Sequence, residues 1–252
     1  MSAVIFAGPS LPPLLRPSDP SLQWLPPVRQ GELYRAALAR PAVIGLVDGY
    51  FEVVPTVWHK EILWAMAQGI HIFGSASIGA LRAAELAPFG MTGVGRIYED
   101  FRDGMLEDDD EVAVLHGPEA LGYPAITEAM VNIRATLAAA LAAGVLASPL
   151  AETLTRIAKA LFYKERSYKA MLDAAAADGL PARPLEDFAA WLPQGRVDQK
   201  RLDAEAMVAA IRAHLAAAPP PLRVTWELAD TAAWREARRR AEEHGVEVNT
   251  PR

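Results

Sequence analysis

The chain contains no cysteine among its 252 residues. Without a thiol it can form neither a disulfide framework nor a cysteine-ligated zinc or iron–sulfur site. A thiolate nucleophile and a persulfide relay through the chain's own sulfur are excluded for the same reason. Any nucleophilic chemistry must therefore use oxygen or nitrogen atoms.

Positive charge is also in short supply. The 25 lysines and arginines against 31 acidic residues give a formal net charge of -6, which disfavours nucleic acid as a partner. A basic cluster near residues 235–240 is better suited to contacting a protein. The apolar runs are too short or too alanine-rich to cross a bilayer, and the first residues lack the basic region of a signal peptide. We therefore expect a cytoplasmic protein with no membrane contact.

The first half of the sequence alternates short apolar runs with helical patterns. Strands are predicted at 3–7, 42–47 and 70–73, and helices at 31–40, 56–68 and 78–86. This order predicts βαβ units and a mostly parallel sheet. The proline-rich segment that follows the first strand is predicted to be an extended connection, and further candidate strands are 112–115 and 223–228.

From about residue 126 the sequence becomes alanine-rich. Helices are predicted at 126–143, 149–177, 185–191, 198–217 and 231–244. The predicted fold class is therefore α/β, with an Ala-rich helical C-terminal half. We expect an α/β core in residues 1–125 and a helical region in residues 126–252, packed on the core and possibly forming one continuous domain with it.

The best candidate for chemistry is the segment FGSASIGALR at residues 73–82. A serine at a sharp strand-to-helix turn places its hydroxyl at the helix N-terminus, where amides such as those of Ile78 and Gly79 can stabilise an oxyanion. Ser77 is the preferred nucleophile, and Ser75 is two residues away. The alternative is that either serine only caps the helix.

Lys60 is the candidate base for this serine. It follows the strand at 42–47, in the first turns of the next helix, and parallel strands would bring it to the same sheet edge as Ser77. Burial and the positive end of the helix would lower its pKa toward the range of a general base. The alternative is a surface lysine that lies over Trp58 or Trp64.

Other polar residues near this edge have supporting roles or none. Asp48 could orient Lys60 or a substrate, and Gly49 could admit backbone amides to an oxyanion, although both also suit a simple turn. Arg82 and Glu85 are spaced as a stabilising helical pair. The acidic run 107–111 has no histidine at ligand spacing, so neither a metal nor a cofactor is predicted.

Several of these segments together resemble the TfuA-like protein family. They are 6–10 (FAGPS), 47–51 (VDGYF), 55–63 (PTVWHKEIL), 74–86 (GSASIGALRAAEL), 89–95 (FGMTGVG) and 109–114 (DDEVAV). The resemblance covers the first half of the chain densely, and the second half matches far less distinctively.

The resemblance implies a role beside YcaO-type enzymes in peptide backbone thioamidation. It implies hydrolysis of the C-terminal thiocarboxylate of a ThiS-type sulfur carrier, which releases sulfide, and engagement of a precursor peptide or protein substrate. The Ser-Lys pair associated with the family falls on Ser77 and Lys60. The alternative function is a noncatalytic adaptor that recruits the peptide or the sulfur carrier to the YcaO enzyme.

Overall fold

The computed structural model describes residues 1–52 and 54–246, with side chains as far as residue 243. Within these residues there are five strands and ten α-helices. The strands are β1 (Ala3–Phe6), β2 (Leu22–Leu25), β3 (Val43–Leu46), β4 (His71–Ser75) and β5 (Thr92–Val94). The helices are α1 (Glu32–Leu38), α2 (His59–Ala67), α3 (Ile78–Leu86), α4 (Arg96–Arg102), α5 (Met130–Ala142), α6 (Ser148–Ala160), α7 (Tyr168–Ala177), α8 (Ala182–Gly195), α9 (Gln199–Ala217) and α10 (Ala232–Val246).

The five strands form one parallel sheet with the order β2-β1-β3-β4-β5. This confirms the predicted α/β class. From β1 the chain passes to β2 on one side and then returns to β3 on the other, so the strand order reverses between β1 and β3. The loops that leave the carboxyl ends of these two strands diverge, and such a point is where open α/β sheets bind ligands.

Helices cover both faces of the sheet. Helices α1, α2 and α3 pack on one face, where Leu33, Ile62 and Leu86 join the core. Helix α9 packs on the other face through Ala204, Met207, Val208 and Ile211. Helices α5 to α8 form a separate apolar core that contains Ile133, Leu154, Met171 and Phe188. The division at residue 125 stays a prediction, although α9, from beyond that point, covers the sheet of the N-terminal half.

Two strands were not predicted. Strand β2 lies inside the proline-rich segment and pairs with β1, which is possible because prolines are tolerated beside an edge strand. Strand β5 has only three residues and lies among glycines that carry little strand signal.

The predicted strands at 112–115 and 223–228 are wrong. Both segments are irregular in the described structure. The Val112 carbonyl and the Leu115 amide bond to side chains instead of a neighbouring strand. Leu222, Val224 and Trp226 pack against the helical face of the core, so their apolar character reflects burial outside the sheet.

The predicted helix at 149–177 is two helices, α6 and α7. Ser167 begins α7, since its hydroxyl accepts a hydrogen bond from the Ala170 amide. The Arg166 guanidinium bonds to the carbonyls of Ala158 and Leu161 at the end of α6. These two caps fix the break. No helix in residues 1–52 and 54–246 is long and apolar enough to cross a membrane.

Candidate active site

Ser77 lies at the turn between β4 and α3. Its amide donates to the Ser75 carbonyl at 2.7 Å, and Ala76 between them has a φ of 66°. A tight turn around an L-residue with positive φ is strained, and such strain is typical of functional sites. Ser77 occupies the N-cap position, but its hydroxyl accepts no capping hydrogen bond, so the simple capping alternative is not what the geometry shows.

Two glycines allow this turn to pack closely on the sheet. A Cβ atom on Gly79 would lie 1.8 Å from the Leu46 carbonyl oxygen, and one on Gly74 would lie 2.2 Å from the Gly79 carbonyl oxygen. No side chain fits at either position. The glycines therefore press the start of α3 against the carboxyl ends of β3 and β4, which sets the position of Ser77.

Ser75 is fully buried and points to the neighbouring strand. Its hydroxyl donates to the Val94 carbonyl of β5 at 2.8 Å. The side chain of Ser75 thus links two strands, whereas Ser77 lines a cleft at the sheet edge. The two candidate serines have different environments, although their roles in a reaction stay predictions.

The lysine beside Ser77 is Lys200, in the first turn of α9. Its Nζ atom lies 3.2 Å from Ser77 Oγ and donates to the Val112 carbonyl at 2.6 Å. Lys200 is only 3% exposed, and it forms no ion pair within the described part of the chain. Burial lowers the pKa of its amine, and the charges of Asp48, Asp198 and Glu128 offset this only in part. A lysine with a lowered pKa can serve as a general base.

A buried polar network holds the first turn of α9. Asn132 of α5 accepts a hydrogen bond from the Lys200 amide at 3.1 Å, and its side-chain nitrogen donates to Glu128 and Asp198. Arg196 pairs with Glu128, and Asp198 caps α9 by accepting from the Arg201 amide. Because Asn132 bonds the Lys200 backbone, helix α5 fixes where the lysine side chain begins.

The acidic run 107–111 supports the other contact of Lys200. Glu111 accepts two hydrogen bonds from Arg134, at 2.9 and 2.8 Å. Asp110 accepts from the fully buried Arg166 at 2.7 Å and from Lys159. These ion pairs anchor the segment that carries the Val112 carbonyl. No cluster of residues that suits a metal occurs in the described ranges.

Lys60 does not lie against Ser77, which corrects the expected pairing. Its amine donates to the Ala229 carbonyl at 2.9 Å and to Thr231 Oγ1 at 3.0 Å. The physical reason is that the segment leading to α10 runs over the first turn of α2 and satisfies the amine there. Lys60 therefore anchors the C-terminal segment, and it does not lie over Trp58 or Trp64 with a free ammonium group.

Asp48 does not orient Lys60 but fixes the loop after β1. It is 1% exposed and accepts from the Gly8 amide, the Ser10 amide and the Ser10 hydroxyl, at 2.9, 3.0 and 2.7 Å. Gly49 beside it lies close to Ile78, since an added Cβ would be 3.0 Å from Ile78 Cγ2. Both residues thus shape the crevice where the strand order reverses.

The two predicted oxyanion amides differ. The Gly79 amide donates to the Val47 carbonyl at 3.3 Å, so it is already engaged. The Ile78 amide has no acceptor among residues 1–52 and 54–246. Ile78 is the first residue of α3, where a free amide and the helix dipole favour negative charge. Of the two amides, that of Ile78 is therefore the one still able to donate to an anion.

These groups open into a cleft of about 670 Å³. Ser77 and Lys200 line it together with Arg82, whose Nη1 atom donates to Glu85 at 2.7 Å and whose Nε atom donates to the Val57 carbonyl at 3.4 Å. Glu85 also bonds His59 at 2.7 Å. The cleft is further lined by acidic residues, which are Glu52, Glu107, Asp108 and Asp109.

Lys200 was missed by the sequence analysis, although a signal for it exists. Lys200 stands four residues before Ala204 and eleven before Ile211, on the same apolar stripe of α9 as Met207. A lysine in line with a buried stripe is unusual because burying an unpaired charge is costly. The position in the stripe marks Lys200 as buried, but only the packing of α9 shows that it meets Ser77.

Taken together, the fold and cleft are those of an α/β protein with a serine and a buried lysine at the carboxyl edge of a parallel sheet. Residues 48–167 match the model of a family described as TfuA-like protein. The chain thus contains a TfuA-like segment, and this family is associated with YcaO-dependent thioamidation. The match includes Ser77, whereas Lys200 lies beyond it. No curated protein matches the chain.

Proposed function

We propose that this chain hydrolyses the C-terminal thiocarboxylate of a ThiS-type sulfur carrier and releases sulfide for a YcaO-type enzyme. The observation that carries the proposal is the 3.2 Å contact between Ser77 Oγ and the buried amine of Lys200. A serine hydroxyl beside a lysine of lowered pKa is an activated nucleophile. In this proposal Lys200 takes the role that the sequence analysis gave to Lys60.

The first half-reaction forms an acyl-enzyme. Lys200 takes the proton of the Ser77 hydroxyl while the oxygen attacks the thiocarboxylate carbon, and the Ile78 amide stabilises the oxyanion. The carbon–sulfur bond then breaks, and sulfur leaves with the proton that Lys200 carries. The carrier is now an ester of Ser77.

The second half-reaction consumes one water. Lys200 takes a proton from the water, whose oxygen attacks the ester carbon. The bond to Ser77 Oγ breaks, and Ser77 regains a proton from Lys200. The net change is thiocarboxylate plus water to carboxylate plus hydrogen sulfide, so the protein is regenerated.

Arg82 supplies the positive charge that this substrate requires. A thiocarboxylate is anionic, and the attack of an oxygen adds electron density to its carbon. Arg82 lies in the cleft on the same helix as Ser77 and is 9% exposed, so its charge is poorly screened by water. We assign it to binding the thiocarboxylate and offsetting its charge.

The test measures sulfide release from a carrier that ends in glycyl thiocarboxylate. The full chain should release sulfide, and Ser77→Ala should lower the rate of release by about a thousandfold or more. Ser75→Ala serves as the matched control and should keep most of the activity, because that hydroxyl only bonds Val94.

The same assay separates the adaptor alternative. If neither the parent chain nor Ser77→Ala releases sulfide, but both support thioamidation by the YcaO enzyme, the chain is an adaptor. Loss of release with carrier binding retained identifies the hydrolase.

A further inference from the structure

A second, smaller space borders Lys200 beside the cleft, and the two spaces share Pro9 and Val114 as well as Lys200. This polar recess has a volume of about 40 Å³, and its other lining residues include Thr127, Glu128, Asn132, Arg196, Asp198 and the exposed Ala125. Lys200 lines the cleft as well. The amine of Lys200 thus lies between two spaces, one that suits a substrate and one that is small and polar.

The hydrogen bonds of Lys200 use only two of the three positions around its amine nitrogen, and the third is available to a water in the recess. A lysine amine has three tetrahedral positions besides its carbon bond. Two of them carry N–H groups that donate to Ser77 Oγ and to the Val112 carbonyl. The third position has no partner in the described part of the chain, and a buried polar group without a protein partner is commonly satisfied by ordered water.

The lining of the recess suits water. Thr127 Oγ1 accepts from the Leu115 amide and keeps its own proton to donate. Asp198 Oδ1 accepts from Asn132 and from the Arg201 amide, while Oδ2 lies 3.9 Å from Arg201 Nε, beyond hydrogen-bond distance, so Oδ2 can accept from water. A space of this size holds one or a few water molecules, and each needs two to four polar partners.

We propose that the polar recess delivers the water that hydrolyses the acyl-enzyme, so that water reaches the ester while the carrier still fills the cleft. The proposal rests on the proposed function of the same site. A water on the third direction of a tetrahedral amine lies about 5 Å from Ser77 Oγ, and the acyl carbon bonded to that oxygen can lie between them. A one-third turn about the Cε–Nζ bond then points the lone pair of the amine at the water. The amine can now take a proton from that water.

The charges around the recess favour this step. Asp198 and Glu128, which line it, both interact favourably with the positive charge of Lys200. They would stabilise the ammonium that forms when the amine removes a proton from the water.

The test fills the recess with the variant Ala125→Phe, whose site is exposed and outside the cleft. The thiocarboxylated ThiS-type carrier is the probe, and rapid quench measures sulfide and covalent adduct. We expect one sulfide per active site at the parent rate, followed by turnover at least fivefold slower. Mass spectrometry should then show the carrier esterified to the peptide that contains Ser77.

The matched control is Ala120→Phe, because Ala120 is exposed in the same stretch and lines neither the recess nor the cleft. It should show no burst and no adduct. The smaller variant Ala125→Val should slow turnover less than Ala125→Phe, and the thermal midpoints of all three should match the parent.

Two results would overturn the recess proposal while leaving the hydrolase intact. One is an Ala125→Phe chain that turns over like the parent without an adduct. The other is an equal slowing of the first sulfide and of later turnovers, which indicates a general structural effect. Failure of the proposed function is distinct, because the parent chain would then release no sulfide or Ser77→Ala would retain release.

Discussion

Lys200 Nζ lies 3.2 Å from Ser77 Oγ, although 123 residues separate them in the sequence. Ser77 is the N-cap residue of helix α3 on one face of the sheet, and Lys200 lies in the first turn of helix α9 on the other. Both helices start at the carboxyl edge, which is where the two side chains can meet.

Replacing each of the two lysines in turn should show which one acts in catalysis and which one only anchors the C-terminal segment. Lys200→Met should lower sulfide release by about a thousandfold or more, since Ser77 loses its base. Lys60→Met should leave release within about twofold of the parent, because its amine bonds only Ala229 and Thr231. Steady-state assays of both variants decide this. Inactivity of the Lys60 variant with parent-like Lys200→Met would restore the original pairing.

The stability of the chain should reveal the cost of burying Lys200. Because burial lowers its pKa in the folded state, the unfolded chain binds more protons between that pKa and about 10.4. The contribution of Lys200 to the free energy of unfolding therefore rises with pH in that window. Lys200→Met should stabilise the chain at pH 7 by about 1 kcal/mol.

Denaturant titrations of the parent and Lys200→Met at several pH values check this sign. The advantage of Lys200→Met should be largest at pH values below the folded-state pKa and should shrink at higher pH. A constant difference across this range would show that the pKa of Lys200 is not lowered. The pH profile of sulfide release should also have its rising limb below the pKa of an ordinary lysine.

Asn132 should act as a positioning residue. Its side chain bonds the Lys200 amide, Glu128 and Asp198, so Asn132→Ala frees the first turn of α9. We expect kcat to fall about tenfold while KM changes little, since the cleft itself is intact. Kinetics on the thiocarboxylated carrier give both constants. An increase in KM with kcat preserved would place Asn132 in substrate binding instead.

Gly79→Ala should unfold or strongly destabilise the chain. Its new methyl group would lie 1.8 Å from the Leu46 oxygen, which forces α3 away from the sheet. The expected loss is about 3 kcal/mol or more. Gly104→Ala is the comparison: it has open space but a φ of 72°, so it should cost only about 1 kcal/mol. Thermal unfolding of both variants measures the difference, and equal losses would contradict the close approach.

Arg82→Gln should weaken binding of the anionic substrate more than that of a neutral one. The carrier thiocarboxylate would lose its cation in the cleft, so kcat/KM should fall about a hundredfold or more. A carrier ending in a neutral methyl thioester should lose less, because it has no charge to offset. An equal loss of kcat/KM on the two substrates would show that Arg82 does not recognise the charge of the thiocarboxylate.

Much of the fold could be predicted from local patterns. The buried runs of β3 and β4, the helical spacing of α2 and α3 and the alternation between them indicated a parallel sheet, which the structure confirms. Strands β2 and β5 could not be predicted, since a four-residue edge strand among prolines and a three-residue strand among glycines have little periodicity. The predicted strand at 223–228 is wrong because an apolar pattern does not distinguish a strand from an irregular segment that packs against helices.

The sequence by itself determined the serine at the strand–helix junction and the absence of any thiol. It determined these because they depend on residue type and short-range spacing, such as the glycines on either side of Ser77. Only the tertiary structure decided which lysine meets that serine. Lys60 is closer along the chain, but its amine is bound by the segment before α10, while helix α9 carries Lys200 across the opposite face of the sheet to Ser77. That choice depends on how distant helices pack, and no local pattern contains it.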